Sequence, residues 1–169
     1  MKKIIFTLFL ICIFGCSNDD DKPSNPIDQL PEATQTGRGI FACLVDGKPF
    51  IDKSGNPNGI SFNAYYQLID GEYYFGIGGE DDKVNNIILV GLTSNQLSIN
   101  QNFNYSLVDN SPGNVSGICS FFPNINSQEF SLTNENYTGE LKITKFDLSN
   151  QIVSGTFGLI FKILLLENV

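Results

Sequence analysis

The chain reads as all-β: an antiparallel β-sandwich or open barrel-like single domain, preceded by a signal peptide and a disordered linker. Three observations carry this. Two-residue apolar alternation recurs from Arg38 onward, and no stretch shows the three-to-four-residue apolar spacing of an amphipathic helix. Phe and Tyr are plentiful while Gly and Asn are frequent, a composition that favours short strands separated by turns. Asp-Gly pairs stand between apolar runs at 46–47 and 70–71, where a tight hairpin turn needs positive φ at both central residues. With 169 residues, 41 % hydrophobic and 17 % charged, the chain suffices for one domain with a real core.

The strands follow in order. Phe41, Cys43 and Val45 share one face, and Asp46-Gly47 turns the chain back. The turn at Asp70-Gly71 predicts a hairpin with Leu68 opposite Tyr73, Tyr66 opposite Phe75 and Ala64 opposite Ile77. All six are apolar or aromatic, so turn and pattern agree on register. Asn63, Tyr65, Gln67 and Tyr74 then fall on the other face. The run Ile87 to Leu92 is continuously apolar, as expected of a strand covered on both sides. Val115 to Phe122 and Glu129 to Leu132 are weaker strands. In Gly139 to Asp147, Leu141 and Ile143 oppose Lys142 and Thr144 until Lys145-Phe146 breaks phase, which predicts a bulge or the strand's end. Asp147 to Asn150 turns into a last strand from Gln151 to Phe157. No internal repeat is present.

The N-terminus has a different character. Lys2-Lys3 precedes an apolar run from Ile4 to Phe14, which is too short for a transmembrane helix of about 20 residues and matches the core of an export signal. Ile13-Phe14-Gly15-Cys16 resembles the bacterial lipobox. The resemblance implies cleavage before Cys16 and attachment of a diacylglyceryl, palmitate-class lipid to its sulfur, with residues 1–15 lost. An ordinary secretory signal cut elsewhere is the competing reading, but Ile13 and Gly15 do not make its small-x-small site. Two or three acyl chains hold a protein firmly, at about 0.8 kcal/mol per buried methylene. Asp19-Asp20-Asp21 resembles the surface-export signal of Bacteroidetes lipoproteins, which implies the outer membrane, lipid-anchored at the cell surface. Residues 16–36, with Pro23, Pro26 and Pro31 among polar residues, read as a flexible tether of up to about 70 Å.

Leu30-Pro31-Glu32-Ala33-Thr34-Gln35-Thr36-Gly37 and then Phe41-Ala42-Cys43-Leu44-Val45-Asp46-Gly47-Lys48 resemble the start of an uncharacterised domain found in many Bacteroidetes lipoproteins. Tyr137 to Asp147 and Ile152 to Phe157 resemble its later segments. The resemblance spans roughly Leu30 to Phe157 and implies a lipid-anchored β domain without an assigned activity. Within the domain, 37–169, the tail 158–169 departs from that pattern: alternation is lost after Gly158 and the closing motif is missing. The expectation is a frameshifted ending that leaves an exposed apolar edge, with a genuine variant as the alternative.

Cys12 leaves with the leader. Cys43 and Cys119 lie 76 residues apart, and in an oxidising compartment a bridge between them is expected, with two buried free thiols as the alternative. The chain contains no His, which removes the Ser-His and Cys-His nucleophile pairs. Paired carboxylates can serve a glycoside hydrolase, but Asp70, Glu72, Glu80, Asp81 and Asp82 sit beside glycine or in polar runs and read as solvated turns. Glu80, Asp81 and Asp82 are a weak Ca²⁺ candidate without EF-hand spacing. The net charge of −8 becomes −10 once Lys2 and Lys3 leave, and an acidic surface disfavours nucleic acid.

The expectation is a non-enzymatic domain with no cofactor besides the lipid on Cys16. Its partners are the membrane and a glycan or an envelope protein. Tyr65 and Tyr74 form the candidate binding surface, as an outward aromatic pair, with ordinary cross-strand packing as the competing role. A structural envelope component without a small ligand is the alternative, and a carboxylate-based glycoside hydrolase the remote one.

Overall fold

The computed structural model describes residues 25–52, 63–83, 86–124 and 127–161. Cys16 and the acidic run at 19–21 lie outside them, as does the tail beyond Phe161. The described chain is all-β and mostly antiparallel. Its strands are β1 (Ala42–Val45), β2 (Lys48–Ile51), β3 (Asn63–Ile69), β4 (Glu72–Lys83), β5 (Asn86–Asn95), β6 (Phe103–Leu107), β7 (Asn114–Asn124), β8 (Ser127–Leu132), β9 (Gly139–Asp147) and β10 (Ile152–Leu159). Among the described residues β1 and β2 pair only with each other. The other eight form one sheet in the order β10-β9-β6-β7-β5-β4-β3, with β8 also on β7. This sheet curls into a half-barrel, so the architecture is the open-barrel form and not two stacked sheets.

Turn chemistry sets the hairpins. Asp46 and Gly47 take φ of 50° and 72°, and Asp70 and Gly71 take 52° and 87°. Both pairs are type I′ geometry, whose twist matches that of the flanking strands. The β3–β4 register is the one the sequence predicts: Leu68 opposite Tyr73, Tyr66 opposite Phe75, Ala64 opposite Ile77. The bulge in β9 is also present. Ser154 faces Lys145 while Gly155 faces Ile143, leaving Thr144 unopposed. Past it, Phe146 and Val153 turn onto the core, and the Phe146 N–H donates to Oε1 of Gln101 at 3.0 Å where the ladder is broken.

The core lies on the concave face. Phe75, Leu92, Ile99, Tyr105, Leu107, Val115, Leu141 and Ile143 are buried in one cluster. Phe41 and Phe50, from the β1–β2 hairpin and its lead-in, bury against Val90 and Cys119 in a second cluster. Phe41 stacks on Phe157 at 5.1 Å and meets Phe50 edge-on at 6.3 Å. Gly79 makes that seat possible. A Cβ there would stand 2.8 Å from Cβ of Asp52 and 3.0 Å from Cδ1 of Phe41, so only glycine lets the hairpin lie flat on β4.

The sheet forks at β7. Its start bonds β6 in parallel through Leu107 and Val115, and its remainder bonds β8. Thr133 fills the fork. Its N–H donates to the Gly117 carbonyl at 2.9 Å, its Oγ1 accepts from the Gly117 N–H at 2.8 Å, and the same hydroxyl donates to the Val108 carbonyl.

Three expectations are corrected. β4 runs through Lys83, so Gly76–Gly79 and the acidic residues that follow are strand and not solvated turn. The stretch assigned to a flexible tether holds some regular structure: Pro26–Gln29 forms a 3₁₀ helix, started by proline and capped by the Asn25 side chain. The tail's first residues do pair, with Gly158 opposite Glu140 and Leu159 opposite Gly139, because Gly139 lets the β10 backbone approach closely. The rest of the tail, from 162 on, is outside the described residues.

Candidate functional site

The inward residues of the half-barrel alternate with outward ones along each strand. From β4, Phe75, Ile77 and Gly79 point inward, facing Ser94, Leu92 and Val90 of β5 and then Val115, Gly117 and Cys119 of β7. From the other limb come Leu141, Ile143, Phe157 and Leu159. The two limbs end in β3 and β10, which do not pair with each other. Curling an antiparallel sheet without closing it leaves an apolar trough. Between that trough and the segment from Ile27 to Asp46 lies a hollow of about 1330 Å³. Ile77, Val153, Phe157 and Leu159, all half-buried, are its apolar walls, Ala64 of β3 opens onto it, and Phe75, Leu92, Leu141 and Ile143 lie packed beneath them. Arg38, Glu32 and Gln151 also line it and are exposed. The volume exceeds the roughly 300–1,000 Å³ usual for small-molecule pockets.

The segment Leu30-Pro31 to Gly37 passes along the last strand. Gly37 takes a φ of 69°, and a Cβ there would stand 3.0 Å from Cγ1 of Ile152. The hollow therefore has an apolar floor made by the sheet and a roof made by the stretch the sequence assigns to a tether.

Tyr65 and Tyr74 do share the outward face of β3 and β4, as neighbours on a diagonal: Tyr65 lies opposite Gly76 and Gln67 opposite Tyr74. That face is the convex one. The Tyr65 ring lies flat over Gly76, where a Cβ would be only 2.3 Å from Cε1, so the ring supplies cover that the glycine lacks. Tyr65 is still 39 % exposed. The geometry favours cross-strand packing over a stacking platform for this pair.

The acidic residues do not converge. Glu80 and Asp81 are both buried, yet as consecutive strand residues they leave β4 on opposite faces. No group of three metal-ligating side chains exists among the described residues. Asp70 and Glu72 stand at the tip of the same strand, roughly 26 Å from Glu80 at about 3.3 Å per residue. A glycosidase pair needs a separation under about 10 Å.

Cys43 and Cys119 are free thiols here, so the expected bridge is not formed in this structure. The fold nevertheless brings them together. Cys43 packs against the cluster that contains buried Cys119. Burial pushes the Cys43 thiol up to about 12, and the nearby Cys119 adds to the rise. Burial likewise lifts Cys119 to about 11, with Asp46 contributing. The hollow itself has no signature in the sequence. Its floor is an ordinary strand pattern, and only the curl of the sheet makes it concave. Comparison with known proteins yields no matching family model, no similar curated protein and no similar solved structure.

Proposed function

We propose that the chain is a lipid-anchored envelope protein whose β domain is a non-catalytic binder that takes an apolar ligand into the hollow of its curled sheet. The single observation that carries the binding reading is the space of about 1330 Å³ between the apolar inner face and the N-terminal segment. An incompletely closed antiparallel barrel can hold a ligand at its mouth. The walls offer aliphatic and aromatic surface, and Arg38 stands at the rim to meet an anionic head. A fatty acid or an acyl lipid has that chemistry, each methylene contributing about 0.8 kcal/mol when buried. The anchor is supported by Lys2-Lys3, the apolar leader and the Gly15-Cys16 pair. The acidic run behind Cys16 supports display on the outer membrane surface.

The test is a titration with an environment-sensitive fluorescent fatty acid. Saturable binding of one equivalent, abolished by Ala64→Phe with the fold intact, supports the reading. Equal response from both proteins refutes it. The anchor is tested separately: Cys16→Ser must leave the membrane fraction.

A second reading, contact with an envelope protein, is favoured by β8. Phe130 and Leu132 point outward on this strand and are 65 % and 39 % exposed, beside half-buried Ile118. Crosslinking from Gln128 in intact cells tests it, and the absence of any adduct rejects it.

A further inference from the structure

The β1–β2 hairpin roofs part of the hollow, yet no ladder hydrogen bond joins it to the large sheet. It is held by side chains: Phe41 and Phe50 against Val90, and Phe41 on Phe157. At the base of the hairpin, the Asp52 N–H donates to the Phe41 carbonyl at 2.9 Å. Its inward face carries Cys43, opposite Phe50. The floor beneath carries Cys119, opposite Val90 of β5. One cysteine on each of two elements that share a packed cluster and, among the described residues, no strand ladder is the placement of a covalent latch.

We propose that Cys43 and Cys119 form a disulfide in the exported protein and so bolt the hairpin over the hollow. The bond does not depend on the ligand reading; its effect on ligand access does. The oxidant is the disulfide of a thiol oxidase outside the cytoplasm. Cys43 attacks one sulfur of that disulfide as the thiolate and releases the other as a thiolate. The Cys119 thiolate then attacks the Cys43 sulfur and releases the oxidase's second sulfur. The chain loses two protons and two electrons, and the oxidase disulfide becomes a dithiol. In the folded, reduced domain both thiols are held largely protonated by burial, so the exchange belongs to folding, before the hairpin seats.

The experiment uses the full chain extracted from its membranes without reductant. Unfolding in excess N-ethylmaleimide labels every free thiol, and peptide mass spectrometry follows. The expected result is a linked Cys43–Cys119 peptide, with less than about one molecule in ten carrying label at either position. Label on both cysteines in most molecules overturns the proposal. Hydrogen exchange then tests the latch without any ligand. Reduction should speed exchange of the Cys43 and Phe50 amides at least about tenfold, whereas unchanged rates overturn the latching role. For a bound fluorescent fatty acid, release should quicken by a similar factor on reduction. Failure of that probe to bind in either form refutes the binding reading alone and leaves the first two measurements to decide the latch.

Discussion

Replacing Thr133 with valine removes one oxygen from the fork of the sheet and leaves the shape of the side chain almost unchanged. Thr133 is 1 % exposed. Its Oγ1 accepts the Gly117 N–H at 2.8 Å and donates to the Val108 carbonyl. In the valine variant the buried Gly117 N–H has lost its acceptor, which costs about 1–3 kcal/mol. The half-buried Val108 carbonyl loses a donor, at about 0.5–1.5 kcal/mol. Together the loss is about 1.5–4.5 kcal/mol, or roughly 6–18 °C in Tm at about 4 °C per kcal/mol for a domain of this size. Serine is the control. It keeps the oxygen and loses a methyl group, so its cost is about 1 kcal/mol. The assay is urea unfolding of the three proteins followed by circular dichroism, with the slope checked for constancy. A valine variant within about 0.5 kcal/mol of the parent, or one more stable than the serine variant, refutes the assignment of Thr133 as the fork's polar plug.

Three further outcomes follow from the geometry. Gly71→Ala places a side chain at a φ of 87° and should cost about 1 kcal/mol or more, whereas Gly158→Ala, with nothing within 4 Å of the new Cβ, should cost close to nothing; thermal melts of the two variants check the contrast. Gly79→Ala drives a methyl against Asp52 and Phe41 and should destabilise by about 1–3 kcal/mol, with hydrogen exchange rising first in β1 and β2. Asp147 accepts from the Asn150 side chain and backbone and pairs with Lys145 at 3.3 Å, which holds its carboxyl below the usual carboxylate range. A depressed folded value means the contribution is full above the unfolded carboxylate pKa and is lost as the pH falls through the folded one. The stability gap between Asp147→Asn and the parent should therefore be present at neutral pH and close in acid, read from unfolding curves at several pH values.

Local chemistry was legible where it is self-contained. Asp70-Gly71 and the alternation on either side of it specify the β3–β4 register pair by pair, and the phase break near Lys145 specifies the bulge. β6 was missed although Phe103, Tyr105 and Leu107 alternate with polar residues. Five residues set among asparagines give a short signal that partners on both sides, not propensity, turn into a strand. The second half of β4 reads as a loop because glycines and acids are poor strand formers. It is a strand because Tyr65 covers Gly76 and the hairpin sits on Gly79. Curvature has no such local record. The hollow is lined by segments far apart in the chain, from Ile27 to Phe161, so neither its existence nor its roof could be read from spacing. The proximity of Cys43 to Cys119 has no local record either, since it follows from the hairpin packing on β7.

The binding reading is tested most directly by native mass spectrometry of the full chain, released gently from the membranes on which the proposed anchor would hold it. The account predicts a population heavier than the anchored chain by one apolar molecule, which organic solvent removes and which Ala64→Phe never carries. A single species at the mass of the anchored chain, unchanged after incubation with excess fatty acid or phospholipid, would contradict it.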